Sequence, residues 1–445
     1  MKIKGDKSYI FHRRLDYAYP IITHGKGIYL YDEEGKRYID ACGGAIVANL
    51  GHGLKGIARE IGKLAARFNY LHGSQFTTRV MEDYARNLVK TAPKGLNKVF
   101  FVSGGSEAVE SAIKLARQYH YDAGSKSKYK IICRQPAYHG STILTLSLSS
   151  KPGMRKPQEP FILKFPTIPA PFCYRCPFGR AYPGCGLKCA KALEETIKKE
   201  GPETVCAFIA EPVIGASIGA VVPPFEYLSA VKKICAKYNV LLISDEVMSG
   251  FGRTGKWFAS QHFNCAPDIA VIGKGIGGGF VPLAAVFCQE KILTTIKKGS
   301  GNFIHGFTFE NNPFTTGVGQ LVLRYVRKRQ LVEKCAKMGK YLMTQLKTLD
   351  KISIVGDVRG LGLLTAVEFV QNKKTKKPFS RENHLAEKIV QAAMRKGLNL
   401  YFAVGFERGQ GDAVMVAPPL TVTKKEIDKI VAIFKEAINE GASNS

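Results

Sequence analysis

Long apolar runs are missing from this 445-residue chain. None approaches the ~20 consecutive apolar residues that a membrane-spanning helix needs, so no membrane partner is expected. An apolar h-region is missing too. The start, Met1-Lys2-Ile3-Lys4-Gly5-Asp6, is basic but leads into no such run, which argues against a secretory signal and leaves a cytoplasmic location as the default expectation. Acidic residues are scarce, 36 against 65 Lys and Arg, for a formal charge of +29. Such a charge suits nucleic acid when it is clustered and interleaved with aromatic side chains. Here it is scattered. The densest patches are Lys373–Lys377, with few aromatics nearby, and Arg324–Arg329 on an expected helix. No nucleic-acid partner is expected, and the basic field is free to attract anionic substrates or a phosphorylated cofactor. Internal repeats are also absent. The composition, 45% hydrophobic and 23% charged, is that of an ordinary globular protein, and the length suggests two or three domains.

Cysteine, by contrast, is plentiful, with eleven in the chain. Without a secretory signal these read as thiols rather than disulfides. Cys133, Cys206 and Cys288 lie in apolar strand-like runs and read as small core residues. Cys173, Cys176, Cys185 and Cys189 have the spacing C-x2-C-x8-C-x3-C, which is that of a small zinc site. Spacing supplies no geometry, and Pro177, Gly179 and Pro183 bring enough turn chemistry to order the loop unaided. The expectation is therefore no metal.

Short β-branched runs alternate with longer helical patterns. Strands are expected at Lys98–Val102, Lys130–Cys133, Cys206–Ala210, Val240–Ser244, Ile269–Ile272 and Leu283–Cys288. Between them, Ser106–Tyr119 places Val109, Ala112, Ile113 and Ala116 at helix spacing, and Glu226–Lys237 does likewise. This alternation predicts an α/β fold with a mainly parallel sheet. Gly27–Asp40 reads as a hairpin, and the stretch from about Lys151 to Cys189 as a loop. Beyond residue 320 come two long helices, strand character over Ile352–Val370, a helix over Asn383–Lys396 and a last helix after Thr423.

Three segments carry candidate chemistry. In Val240-Leu-Leu-Ile-Ser-Asp245-Glu246-Val247 an acid ends a buried strand, where open α/β sheets place their ligands. In Asp268-Ile-Ala-Val-Ile-Gly-Lys274-Gly-Ile-Gly-Gly-Gly279 a lysine at a strand end is followed by glycines that let a cofactor approach closely, as an amine nucleophile requires. In Phe100-Phe-Val-Ser-Gly104-Gly105-Ser106-Glu107-Ala108 a strand turns into a helix whose free N–H groups suit a phosphate. Each alone reads equally as a helix cap, a flexible turn or a Gly-rich bend.

Together, and in order with Gly35–Ala41, Asn49–His52, Tyr138-His-Gly140, Ala210-Glu-Pro212, Gly250–Gly255, Pro267-Asp268 and Asn312-Pro313, they resemble the class III aminotransferases over nearly the whole chain. Within that family the chain is most similar to the amine and ω-amino-acid transaminases. The resemblance implies the aspartate-aminotransferase-like fold of the fold type I enzymes that use pyridoxal 5'-phosphate. A large cofactor domain over 66–320 would be joined by a small α+β domain built from 1–65 and 321–445. Lys274 would carry the cofactor, and Asp245 would hold its pyridine nitrogen protonated so that the ring accepts electrons. Tyr138 would stack on the ring with His139 beside it, and Val247 would cover the opposite face. Gly105 and Ser106 would bind the phosphate, Glu211 would lie on the substrate side, and Thr308 would reach the phosphate in the neighbouring subunit of a homodimer or larger homo-oligomer. An amine donor would displace Lys274, whose freed amine moves a proton, and a 2-oxo acid such as pyruvate or 2-oxoglutarate would complete a ping-pong cycle. An aminomutase or a racemase shares the same residues and stays open as an alternative. The chain departs from the family pattern where many relatives carry a Trp: here the segment is Cys42-Gly-Gly-Ala-Ile46, and the only Trp is Trp257. Ile46 would then widen the substrate pocket. Arg408 is the candidate for binding the oxo-acid carboxylate, in the altered loop Gly405-Phe-Glu-Arg408-Gly.

Overall fold

A computed structural model describes residues 2–443; the outermost predicted boundaries, Met1 and Ser445, lie outside it. Its centre is a seven-stranded sheet made of β1 (Leu96–Val102), β2 (Lys130–Gln135), β3 (Thr167–Pro169), β4 (Val205–Ala210), β5 (Leu241–Asp245), β6 (Ile269–Ile272) and β7 (Ala284–Gln289). The spatial order is β1-β7-β6-β5-β4-β2-β3. Strands β4, β5 and β6 run parallel, as do β2 and β3 beside them. Only β7 runs against its neighbours β1 and β6. The reason is chain length: the link Gly273–Leu283 is too short for a parallel crossover, which takes a dozen or more residues. The mainly parallel α/β sheet expected from the alternation is thus present.

Every residue of β4 and β5 is buried, as strands covered on both faces must be. On one face lies helix α1 (Gly105–Asp122), whose Ala108, Val109, Ala112, Ile113 and Ala116 meet Ile209, Ile243 and Val271. Its apolar spacing is the one legible in the sequence. On the other face, Tyr227, Leu228 and Val231 pack with Phe208 and Leu242. Each such aliphatic or aromatic side chain contributes about 1.5–3 kcal/mol by burial.

The remainder is built around two smaller sheets. One holds the predicted N-terminal hairpin, Tyr29–Asp32 against Arg37–Asp40, and is joined by Leu398–Asn399 pairing in parallel with Ile39–Asp40. The other has the order β8-β9-β11-β10, with β8 (Val355–Leu361), β9 (Leu364–Phe369), β10 (Tyr401–Glu407) and β11 (Gln410–Val416). Helices α2 (Pro313–Lys328), α3 (Leu331–Lys347), α4 (Leu385–Arg395) and α5 (Lys424–Ser443) surround them. The first of these starts before residue 320 because Asn312 caps it, accepting from Thr315 N at 3.0 Å, with Pro313 in its first turn. Two expectations need correction. The loop from Lys151 to Cys189 contains β3 and short helical turns at Pro152–Arg155 and Lys156–Phe161. The stretch around Arg408 is a β-hairpin, disguised in the sequence by Gly405, Gly409 and Gly411. No helix among the described residues is long and apolar enough to cross a membrane.

The Gly250–Gly255 motif supplies the clasp between these parts. Arg253 is wholly buried and donates from Nη1 to Leu363 O at 3.1 Å and Pro418 O at 2.6 Å, and from Nη2 to Asn49 Oδ1. Burial pushes its pKa down to about 10. Arg253→Met leaves three buried oxygens without their donor, at a cost of about 3 kcal/mol or more. Scanning calorimetry of the holoprotein should show the unfolding midpoint several degrees lower; an unchanged midpoint would mean that water replaces the guanidinium without loss.

Candidate active site

Parallel strands bring their carboxyl ends to one edge, so residues distant in sequence converge there. Glu211 follows β4, Asp245 ends β5 and Lys274 follows β6. Tyr138 and His139 come just after β2, and Gly105 opens α1 after β1. These residues, with Ser106 and Val247, line a single cavity of about 170 Å³. Gly140, Ala216 and Met248 complete its wall.

Asp245 is buried and oriented on both oxygens. Its Oδ2 accepts from His139 Nδ1 at 2.7 Å, and its Oδ1 from Val247 N at 3.1 Å. That leaves His139 Nε2 buried without a partner. Glu211 accepts from Tyr138 N at 3.1 Å and from Gly215 N at 2.9 Å, while burial raises its carboxyl pKa above the ordinary range. Lys274 is held at φ +49°, a left-handed conformation uncommon outside glycine. Burial drives its amine pKa below the ordinary lysine value, against a smaller opposing pull from the Asp245 and Glu211 carboxylates. Glu246, next to Asp245, turns away from the cavity. Burial pushes it up to about 7, and it accepts from Ser260 N at 3.1 Å and from Ala259 N, fixing that loop.

Part of the cavity wall is glycine backbone. Gly104, which caps α1, has no side chain to accept from the first-turn N–H groups. A β-carbon added at Gly105 would come within 2.7 Å of Val247 Cγ1, and one at Gly140 within 2.5 Å of both Ser106 Oγ and Thr145 Oγ1. Ser106 Oγ accepts from Ser141 N at 3.0 Å, which ties the two glycine turns together. An uncapped helix start is an anion site. A buried amine, an oriented carboxylate and the Tyr138 ring beside it fit a flat aromatic aldehyde carrying a phosphate.

The family model Aminotransferase class-III matches residues 10–438. The chain is a class III aminotransferase. It is 38% identical to the uncharacterised aminotransferase YodT of Bacillus subtilis, over 97% of each chain. It is 32% identical to the putrescine–pyruvate aminotransferase of Pseudomonas aeruginosa, covering 95% of this chain and 91% of that protein. Among solved structures it resembles the ω-transaminase of Pseudomonas jessenii in complex with PMP, with a TM-score of 0.89 and 34% identity over 96% of this chain and 93% of that one. The fold is that of the fold type I transaminases, and the cofactor is pyridoxal phosphate.

Three residues singled out in the aminotransferase's sequence stand apart from the Lys274 cavity. Thr308 is exposed, on a segment that follows β7. Ile46 is buried at φ +63°, strained for a β-branched residue, and packs with Ala210, Val213 and Met415. Arg408 caps the β10–β11 hairpin with 95% of its side chain exposed, 3.9 Å from Glu407, on a separate cavity of about 680 Å³. Other family-like residues have structural partners. Asp268 is clasped by Lys232 and Lys291, each at 2.5 Å, and His52 holds Asp40 at 2.9 Å.

Sequence reasoning missed Lys151, whose Nζ lies 5.2 Å from the centre of the Tyr138 ring. It falls in a stretch read as irregular loop, and only the polar pair Ser149-Ser150 before it hinted at a fixed position. Of the cysteines, Cys133 and Cys206 are core residues and Cys288 is half-buried. Cys173, Cys176, Cys185 and Cys189 are free thiols, and no group of three or more His, Cys, Asp or Glu among the described residues is arranged to hold a metal ion. Elemental analysis of protein purified without chelators should find no stoichiometric zinc; one zinc per chain, released by Cys176→Ser, would reverse that expectation.

Proposed function

We propose that the protein transfers an amino group from a primary amine or ω-amino acid to a 2-oxo acid, pyruvate or 2-oxoglutarate, by a ping-pong mechanism. The observation that carries this reading is the buried Lys274 amine sharing one cavity with the Asp245–His139 pair. Bound pyridoxal phosphate supplies an electron-accepting ring that takes up the charge left when the substrate carbon loses its proton. Lys274 holds the cofactor, and its amine, made less basic by burial, takes that proton and returns it. Asp245 keeps the ring nitrogen protonated, and His139 aims the carboxylate through its 2.7 Å hydrogen bond. Tyr138 and Val247 enclose the ring from opposite faces. Ser106, Gly105 and the first turn of α1 take the phosphate, and Glu211 faces the substrate side.

A panel of amines with pyruvate and 2-oxoglutarate tests the reading. Alanine or glutamate should form mole for mole with the aldehyde or ketone, with parallel double-reciprocal lines. Isomerised or racemised amino acid with no oxo acid consumed would assign the chain to the alternative chemistry instead.

Thr308 is proposed to serve the cofactor phosphate of the partner subunit, which makes the working unit a homodimer at least. Thr308→Ala and Lys274→Ala subunits, each impaired alone, should then recover activity when mixed. In the hybrid the site with an intact Lys274 also receives an intact Thr308, and the other site is doubly damaged. Active monomers in sedimentation, or no recovery on mixing, would count against it.

A further inference from the structure

The aminotransferase reading requires a carboxylate to be recognised beside the cofactor, and this inference rests on that reading. Arg408 lines a separate cavity, and Lys274 is the only lysine or arginine among the residues lining this one, so a cation for that purpose has to stand just outside its wall. The segment Ser149–Lys151 provides one. Ser150 N donates to Ala137 O at 2.9 Å, Ala137 N to Ser150 Oγ at 2.7 Å, and His139 N to Ser149 Oγ at 2.8 Å. Three bonds therefore lock Ser149-Ser150 against the backbone of Ala137–His139. The next residue, Lys151, is left beside Tyr138, whose OH is in turn hydrogen-bonded to Ser141 Oγ at 2.9 Å.

The Lys151 ammonium is half-buried and has no hydrogen-bond acceptor or ion-pair partner among the described residues, only the Tyr138 ring beside it. The charged groups that act on it are Glu211, Lys274 and Arg13. Glu211 attracts the ammonium but is hydrogen-bonded to Tyr138 N and Gly215 N and makes no hydrogen bond or ion pair with Lys151. Arg13 is a second cation near it, and two neighbouring cations favour an anion that joins them. A half-desolvated, unpaired ammonium on a rigid backbone, with an exposed guanidinium nearby, is arranged for an anionic ligand.

We infer that Lys151 binds the carboxylate of the substrate, both in the 2-oxo acid acceptor and in the amino acid formed from it, and so selects carboxylate-bearing substrates over neutral ones. The bond is charge-assisted, so its loss should weaken carboxylate binding by about tenfold or more. Neutral amines and aldehydes make no such contact and should be unaffected.

The test compares wild-type holoenzyme with Lys151→Met and Lys151→Arg. Lys151→Met should raise the KM for pyruvate about tenfold or more while leaving kcat/KM for a neutral aldehyde acceptor within about threefold. Propionate, which has no 2-oxo group to react, gives a readout independent of turnover: its dissociation constant, measured by calorimetry on the holoenzyme, should rise by a similar factor. Lys151→Arg should restore part of the affinity. Equal effects on pyruvate and the neutral aldehyde, or an unchanged propionate constant, would overturn the inference. If wild-type enzyme forms no alanine from pyruvate, the aminotransferase reading fails by itself, and the propionate titration still decides whether Lys151 binds carboxylates.

Discussion

Lys274→Ala is expected to lower turnover by about four orders of magnitude, the upper end of what a positioned acid–base group contributes. In the proposed mechanism the residue has two tasks, as the covalent point of attachment and as the base that shuttles the substrate proton, and alanine removes both. Lys151 offers no substitute, because Ser149 and Ser150 hold it over the Tyr138 ring rather than at the end of β6. Burial keeps the Lys274 amine less basic than a free lysine, so in the wild type a larger neutral fraction is available near neutral pH. Borohydride treatment followed by peptide mapping should find pyridoxal phosphate on residue 274 in the wild type and nowhere in the variant. Full activity in the variant, or labelling at another lysine with turnover retained, would remove Lys274 from its role.

Asp245→Asn should slow proton abstraction by about 10²–10⁴-fold with little change in cofactor retention. An amide has nearly the same shape as the carboxylate but no charge to hold a pyridine nitrogen protonated. It also disturbs His139, because the Nδ1 hydrogen bond at 2.7 Å loses its ionised acceptor. The turn at Gly105 and Ser106, proposed to take the phosphate, makes no hydrogen bond to Asp245 and keeps its own tie to Ser141. Rapid-mixing measurements with α-deuterated amine check this: the isotope effect on the first half-reaction should grow as proton transfer becomes slower than product release. An unchanged rate would mean that the acid controlling the ring lies elsewhere.

What the sequence disclosed follows from how each signal is encoded. Buried parallel strands are continuous apolar runs, so β4, β5 and β6 were readable within a residue or two. Lys274, Asp245 and the Gly105 turn were readable as well, because a strand end followed by a Gly-rich or acidic turn is a local pattern. The β10–β11 hairpin was not, because three glycines break its alternation and its order comes from pairing with β9. Lys151 was hidden for a different reason. Its position depends on two serine hydroxyls reaching a segment thirteen residues back, as in the Ala137–Ser150 bond, and no periodicity records that. The Gly250–Gly255 motif was recognised by resemblance, but only the structure shows that Arg253 is a clasp rather than a ligand-binding group.

The pairing of Leu398–Asn399 with Ile39–Asp40 has a consequence for how the molecule is made. Asn399 Nδ2 donates to Asp40 Oδ1 across 359 positions of sequence, at 3.0 Å. During synthesis the first strands leave the ribosome long before that partner exists, and Arg253 likewise emerges before Leu363 and Pro418, two of its three acceptors. Until then the N-terminal arm presents the unpaired edge of Arg37–Asp40, a surface prone to wrong association. Closing so distant a contact is slow. The N-terminal sheet of this chain therefore cannot be completed until residues 398 and 399 have been made.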